Sequence, residues 1–107
     1  FITEFPSVHK ARVHRLDAGS FFEPHRDHFP GERRFRVLVP LNNTTLDAYA
    51  FIYDRQIYEF NPGVPYVLNT TKVHGSMSFK DGTYHMIMSV NNTDDNISTV
   101  MRLMSFR

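Results

Sequence analysis

The chain has 107 residues, of which 14% are aromatic, and its net charge is +1. This composition fits one folded domain with one core and excludes a disordered segment. The sequence has no cysteine, which excludes disulfides, cysteine-ligated zinc and cysteine nucleophiles. The charges are scattered, so the sequence has no run of basic residues that would bind nucleic acid or a membrane surface. No apolar stretch approaches the ~20 residues that a membrane-spanning helix needs. Since no signal peptide is visible, we expect a cytoplasmic protein.

Short runs of alternating apolar and polar residues predict a protein made almost entirely of strands. In chain order the predicted strands are 11–16, 34–41, 49–53, 56–60, 65–68, 73–79, 84–90 and 99–103. Turn sequences such as Asn61-Pro62-Gly63 separate them, and no stretch carries a helical apolar stripe. Asp94 and Asp95 are interpreted as part of a solvated loop. The pattern favours an all-β double-stranded β-helix, that is, a cupin-like jelly roll.

His25 and Asp27 stand two residues apart directly after Pro24. On a strand or its end they share a face, where an imidazole and a carboxylate can hold one divalent metal from two sides. The alternative is a structural hydrogen bond between the two side chains at a turn. A metal site needs a third ligand, and the candidates are His74, His85, His28, His14 and His9.

His74 is the preferred third ligand. It follows a turn and a short apolar run, and strands far apart in sequence become neighbours in a jelly roll. Two histidines and one carboxylate on one face of an ion form the facial arrangement of non-haem iron(II) oxygenases. We interpret His9 and His14 as ordinary surface or core residues and His28 as a residue of the rim.

Three segments resemble a known family: Gly-Ser-Phe-Phe-Glu-Pro-His-Arg-Asp at 19–27, Arg-Phe-Arg-Val-Leu-Val-Pro-Leu-Asn-Asn at 34–43, and the segment from Asn-Pro-Gly to Val-His-Gly-Ser at 61–76. Together they are similar to the iron(II)- and 2-oxoglutarate-dependent dioxygenases, nearest to the aspartyl/asparaginyl β-hydroxylase-like branch. The resemblance runs from about residue 11 to residue 90.

The resemblance implies a function and a set of ligands. It maps the iron(II) ligands onto His25, Asp27 and His74, and it gives Arg36 a part in holding the co-substrate 2-oxoglutarate. The implied activity is hydroxylation of an unactivated C–H bond in a peptide or small-molecule substrate. Family members carry helices before the barrel, so residues 1–107 would be a single oxygenase domain that is a fragment or a minimal core.

One departure from the family pattern concerns the far carboxylate of 2-oxoglutarate, which a second arginine usually binds. Thr83 falls in that place, and on a strand it shares a face with His85. Either these two bind the carboxylate together, with His85 as an imidazolium, or Arg36 or Arg34 does so, or 2-oxoglutarate binding is weak or lost. A threonine hydroxyl does not replace a bidentate arginine.

Two other functions stay open. A cupin-like metalloenzyme that does not use 2-oxoglutarate would gain support if Arg36 faced away from the metal. A non-catalytic jelly-roll binding module would gain support if His74 lay far from His25. The aromatic residues that alternate at 49–53 and the methionines at 86 and 88 are expected to pack in the core, and the alternative is that they line a substrate pocket.

Overall fold

The computed structural model describes residues 8–26 and 34–104. Within this part of the chain, eight strands precede one helix. They are β1 (Val8–Leu16), β2 (Phe21–His25), β3 (Arg34–Pro40), β4 (Tyr49–Tyr53), β5 (Gln56–Tyr58), β6 (Tyr66–Leu68), β7 (His74–Ser78), β8 (Thr83–Asn91) and α1 (Asp94–Met104). The strands form two antiparallel sheets in the orders β1-β8-β3-β6 and β2-β7-β4-β5. The prediction of an all-β protein is therefore confirmed.

The strands bury apolar side chains in two separate clusters. One cluster fills the space between the sheets and comprises Leu16, Leu38, Tyr49, Phe51 and Phe60. The other lies on the far side of β3 and β8 and comprises Val37, Val39, Met88 and Val90, with Val100 of α1 packed on it. Since β3 contributes alternate residues to the two clusters, both of its faces are covered. Arg36 and Leu38 consequently point into the molecule while their neighbours face α1.

The helix α1 corrects two predictions. Residues 99–103 were predicted as a strand, and Asp94 and Asp95 as a solvated loop, but both belong to α1. The reason is a local start signal: the Thr93 hydroxyl accepts a hydrogen bond from the Asn96 backbone N–H at 3.2 Å, and the two aspartates occupy the first turn.

No helix in the described residues is long and apolar enough to cross a membrane.

The strand β2 was not predicted, and its pairing with β7 depends on Gly75. A Cβ atom at this position would lie 2.8 Å from the Phe22 carbonyl oxygen and 2.9 Å from the Pro24 nitrogen. Glycine therefore lets β2 approach β7 closely, just where the pairing register shifts between Phe22 and His25. Beyond the shift, His25 stands directly opposite His74.

The connection between β4 and β5 is a two-residue turn that carries backbone strain. Asp54 and Arg55 have φ angles of 49° and 70°. Two successive residues with positive φ are typical of the type I′ hairpin turn, which suits the twist of the paired strands and favours Asn-Gly. Arg55 thus occupies a position where a side chain is disfavoured.

Candidate metal centre

The structure brings together two of the three predicted metal ligands. His25 and His74 face each other across β2 and β7, with their ring centroids 4.4 Å apart. His74 is buried, with 9% of its surface exposed, whereas His25 lies at the exposed edge of the sheet. The pair therefore sits where the interior opens to solvent, a position that a small molecule can reach.

Both histidines are oriented by the backbone of their own strand. The Nδ1 atom of His25 lies 2.7 Å from the Glu23 carbonyl oxygen, and that of His74 lies 2.8 Å from the Lys72 carbonyl oxygen. Because a carbonyl oxygen only accepts hydrogen bonds, Nδ1 carries the proton in each ring. In the neutral ring the lone pair is then on Nε2, a tautomer that can bind a metal through that atom.

The third predicted ligand, Asp27, lies outside the described residues, as does His28. His9 and Arg34 are described only as backbone positions of β1 and β3. Within residues 8–26 and 34–104, no group of three histidine, aspartate or glutamate side chains is placed to hold a metal. A complete ligand set therefore needs a group from beyond these residues, and Asp27 remains the prediction.

The two histidines border a cavity of about 230 Å³ between the sheets. Most of the exposed area of its wall is apolar, although about half of the lining residues are polar. The lining residues that carry titratable or hydroxyl groups are His14, His25, Arg36, Tyr49, Thr70, His74, Ser76 and His85. Arg36 thus lines the same cavity as the histidine pair, as the predicted role in anion binding requires.

His85 lines the cavity, and its surroundings disfavour a positive charge on the ring. Its side chain is 2% exposed, its Nε2 atom has no hydrogen-bond partner among the described residues, and the Tyr49 ring packs edge-on against it at 4.6 Å. Burial, with a smaller contribution from His14, lowers the pKa of His85 to about 4. With this pKa the ring is neutral at pH 7, and the pairing of His85 as an imidazolium with the far carboxylate of 2-oxoglutarate stays a prediction.

Thr83 shares a face of β8 with His85, as predicted, but it is not among the residues that line this cavity. It is fully buried, and its hydroxyl accepts a hydrogen bond from Asn43 Nδ2 at 3.2 Å. The described cavity wall therefore offers Arg36, and not Thr83, to a carboxylate.

Two further groups belong to the cavity wall. Tyr49 was expected to pack in the core, with a substrate pocket as the alternative, and it does both: it belongs to the core cluster and lines the cavity. Burial raises the pKa of its hydroxyl to about 12, and the hydroxyl interacts with Ser76. His14 was interpreted as an ordinary residue, but it faces the cavity opposite His85. Its pKa is lowered by burial and by the nearby Arg12 and Arg36. The sequence carried a signal for this position, because His14 stands two residues before Leu16 and therefore shares a strand face with this core residue.

Comparison with known proteins places the chain by its fold. No family model matches the sequence, and no curated protein does. Solved structures do match. KdgF from Halomonas sp. is 18% identical, with a TM-score of 0.61 over 84% of this chain and 74% of that one. A predicted oxalate decarboxylase from Thermotoga maritima is 13% identical, with a TM-score of 0.59 over 79% and 68% of the two chains.

The cupin domain of Cnp3 from Schizosaccharomyces pombe is also similar, at 10% identity and a TM-score of 0.60 over 91% of this chain and 63% of that one. At these identities the likeness concerns the fold alone. It gives no support to the narrower resemblance to the aspartyl/asparaginyl β-hydroxylases. The paired sheets and these neighbours together show that the chain has the predicted jelly-roll fold of the cupin type.

Proposed function

We propose that the chain is a divalent-metal-dependent enzyme that acts on a small anionic organic molecule. The protein ligands of the metal are His25, His74 and Asp27. The observation that carries the proposal is the matched orientation of the two histidines, each with its Nδ1 proton donated to a backbone carbonyl. A merely structural histidine pair has no need for the same tautomer in both rings, whereas shared metal coordination through Nε2 does.

The wall of the cavity suggests how a substrate is bound. Arg36 supplies a guanidinium that can form a charge-assisted hydrogen bond to a carboxylate. The neutral His85 and the protonated Tyr49 add polar groups without adding charge. Leu38, Phe51 and the other apolar side chains of the wall exclude water from the carbon skeleton of a ligand. These residues suit a small organic acid held with its anionic end at Arg36.

The specific chemistry that we favour is hydroxylation with iron(II) and 2-oxoglutarate, as the sequence resemblance implies. Bound iron(II) would supply the activation of dioxygen, and the chain would supply the ligands, the placement of the substrate and the exclusion of water. The presence of Arg36 in the wall of the same cavity as the histidine pair supports this proposal. A metal-dependent reaction without 2-oxoglutarate is the second candidate, and the cupin fold of the neighbours supports it.

An anaerobic titration separates these possibilities. Iron(II) should bind with one equivalent per chain in the wild type, and His74→Ala should abolish that binding. His14→Ala is the matched control because His14 lines the same cavity but lies on β1, which belongs to the other sheet. Retention of one equivalent at unchanged affinity in His74→Ala would overturn the metal site and favour a non-catalytic binding module.

A second titration tests the co-substrate. Addition of 2-oxoglutarate to the iron(II)-loaded protein should produce the weak visible charge-transfer band of the ternary complex. Metal binding without this band would reject the hydroxylase and leave the metal-dependent enzyme that does not use 2-oxoglutarate.

A further inference from the structure

The segment between β6 and β7 forms a tight turn that ends just before His74. The Lys72 backbone N–H donates a hydrogen bond to the Asn69 carbonyl oxygen at 3.0 Å. The Asn69 side chain closes the same turn a second time, because its Oδ1 atom accepts from the Thr71 N–H at 3.1 Å and from the Thr71 hydroxyl at 2.6 Å. Asparagine is favoured at the first position of such turns for this reason. The place of Lys72 is therefore set by bonds within the turn.

Two hydrogen bonds anchor this turn to the end of β4. The Tyr53 hydroxyl accepts from the Asn69 N–H at 3.0 Å, and the Asp54 N–H donates to the Val73 carbonyl oxygen at 2.8 Å. Tyr53 stands directly opposite His74 in the pairing of β4 with β7, and its ring packs against the apolar cluster between the sheets. A side chain held in the core thus fixes the first residue of the turn.

These bonds link Tyr53 to the His74 ring in three steps. The Tyr53 hydroxyl holds the Asn69 N–H, the Asn69 carbonyl oxygen holds the Lys72 N–H, and the Lys72 carbonyl oxygen lies 2.8 Å from His74 Nδ1. The last contact matters for metal binding, because the partner of one ring nitrogen determines which nitrogen carries the proton. If the Lys72 carbonyl oxygen moved away, the His74 proton would be free to occupy Nε2, which then could not bind a metal.

The partner of His25 has a different kind of support. The Nδ1 atom of His25 contacts the Glu23 carbonyl oxygen, and Glu23 lies within β2, between residues that pair with β7. Lys72, in contrast, precedes β7 and lies outside every strand of the described residues. Of the two histidines, His74 is therefore the one whose orientation depends on a turn.

We propose that Tyr53 and Asn69 are positioning residues for His74, which hold the Lys72 carbonyl oxygen where it accepts the Nδ1 proton. The inference deepens the proposed function and rests on it for the role of His74 as a metal ligand. Both residues act through His74, and the quantity that they control is the fraction of His74 rings whose Nε2 atom is free to bind a metal.

Long-range ¹H–¹⁵N NMR of the full chain, freed of metal by a chelator and kept at about pH 8 so that the histidine rings are neutral, reports the tautomer of His74. The wild type should be protonated at Nδ1. Tyr53→Phe removes the hydroxyl and keeps the ring, so His74 should shift toward the tautomer protonated at Nε2, and zinc(II) affinity should fall by about tenfold.

Tyr66→Phe is the matched control. The Tyr66 hydroxyl accepts a hydrogen bond of the same kind, from the Asn61 N–H at 2.8 Å, in a different turn. Its removal should leave the tautomer of His74 and the zinc affinity unchanged.

Variants of Asn69 test the other half of the path. Asn69→Ala removes the acceptor of the two Thr71 bonds and should shift the His74 tautomer in the same direction as Tyr53→Phe. Asn69→Asp keeps an oxygen acceptor at the same place and should retain the wild-type tautomer.

A His74 ring protonated only at Nδ1, together with wild-type zinc affinity, in Tyr53→Phe would overturn the proposal. So would an equal effect of Tyr66→Phe, which would point to a general loss of stability, or an Asn69→Asp variant that behaves like Asn69→Ala. Failure of the proposed function leaves a different signature: the wild type and His74→Ala would bind zinc alike, while the tautomer of His74 in the metal-free protein would still respond to Tyr53→Phe.

Discussion

The Phe22 carbonyl oxygen lies only 2.8 Å from the point that a Cβ atom on Gly75 would occupy. This contact joins the fold to the candidate site, because Gly75 directly follows His74 and the Phe22 strand ends at His25. Close approach of β2 to β7 holds the two imidazoles near each other, with their ring centroids 4.4 Å apart.

The first prediction concerns this contact. Gly75→Ala should push β2 away from β7, weaken metal binding by about tenfold and lower the free energy of unfolding by about 2 kcal/mol. Metal titration and urea unfolding measure the two effects. Met77→Ala, on the outer face of the same strand, serves as the control and should leave metal affinity unchanged. Equal metal affinity in Gly75→Ala and the wild type would show that the approach of β2 does not position His25.

The second prediction follows from the pKa of His85, which burial lowers to about 4. The unfolded chain takes up a proton at His85 near pH 6.5, whereas the folded chain does so only near pH 4. Stability that is present above pH 6.5 is therefore lost as the pH falls toward 4, by about 3 kcal/mol for this residue. Urea unfolding across this range should show a smaller loss in His85→Gln than in the wild type.

The same pKa has a consequence for ligand binding. Because His85 is neutral at pH 7, it should not make the affinity for a carboxylate ligand rise as the pH falls from 8 to 6. Parallel titrations of the wild type and His85→Gln check this expectation. A pH-dependent affinity in the wild type that flattens in the variant would restore His85 as the cation of the site.

The third prediction concerns the turn between β4 and β5. Arg55 has a φ angle of 70°, a conformation that glycine adopts without the steric penalty of a Cβ atom. Arg55→Gly should raise the free energy of unfolding by about 1 kcal/mol, as measured by urea unfolding. Arg55→Ala keeps the Cβ atom and should give no such gain. Similar stabilities for the two variants would argue against strain at this position.

The fourth prediction concerns the start of α1. The Thr93 hydroxyl caps the helix through the Asn96 N–H, and the Ile97 N–H donates to the Thr93 carbonyl oxygen. Thr93→Ala should therefore lower the free energy of unfolding by about 1 kcal/mol, while Thr93→Ser should retain most of the stability. Thermal unfolding of the three proteins provides the measurement, and a loss of the same size in Thr93→Ser would assign the effect to something other than the hydroxyl.

The alternation of apolar and polar residues was sufficient to predict most strands, because this pattern occurs in any strand that buries only one of its two faces. Tyr49–Tyr53 was predicted with the bounds that the structure has. The helix α1 was missed although Thr93 and two aspartates signal its start. The strand β2 was missed because its residues are exposed throughout and give no burial pattern.

The candidate site was predictable only in part, for a physical reason. His25 and His74 could be paired by the expectation that distant strands meet in a jelly roll. The place of Arg36 in the cavity wall depends on the register of β3 with β6 and β8, which no local pattern specifies. The neutral state of His85 likewise depends on its burial under Tyr49, a tertiary contact.

The most direct test of the metal site is long-range ¹H–¹⁵N NMR of the histidine rings, recorded before and after one equivalent of zinc(II) is added. Before addition, His25 and His74 should both be protonated at Nδ1, as their contacts with the Glu23 and Lys72 carbonyl oxygens require. After addition, the Nε2 resonances of these two rings should shift while those of His14 and His85 stay in place. Protonation at Nε2 in either ring, or Nε2 resonances that do not respond to zinc, would contradict the account.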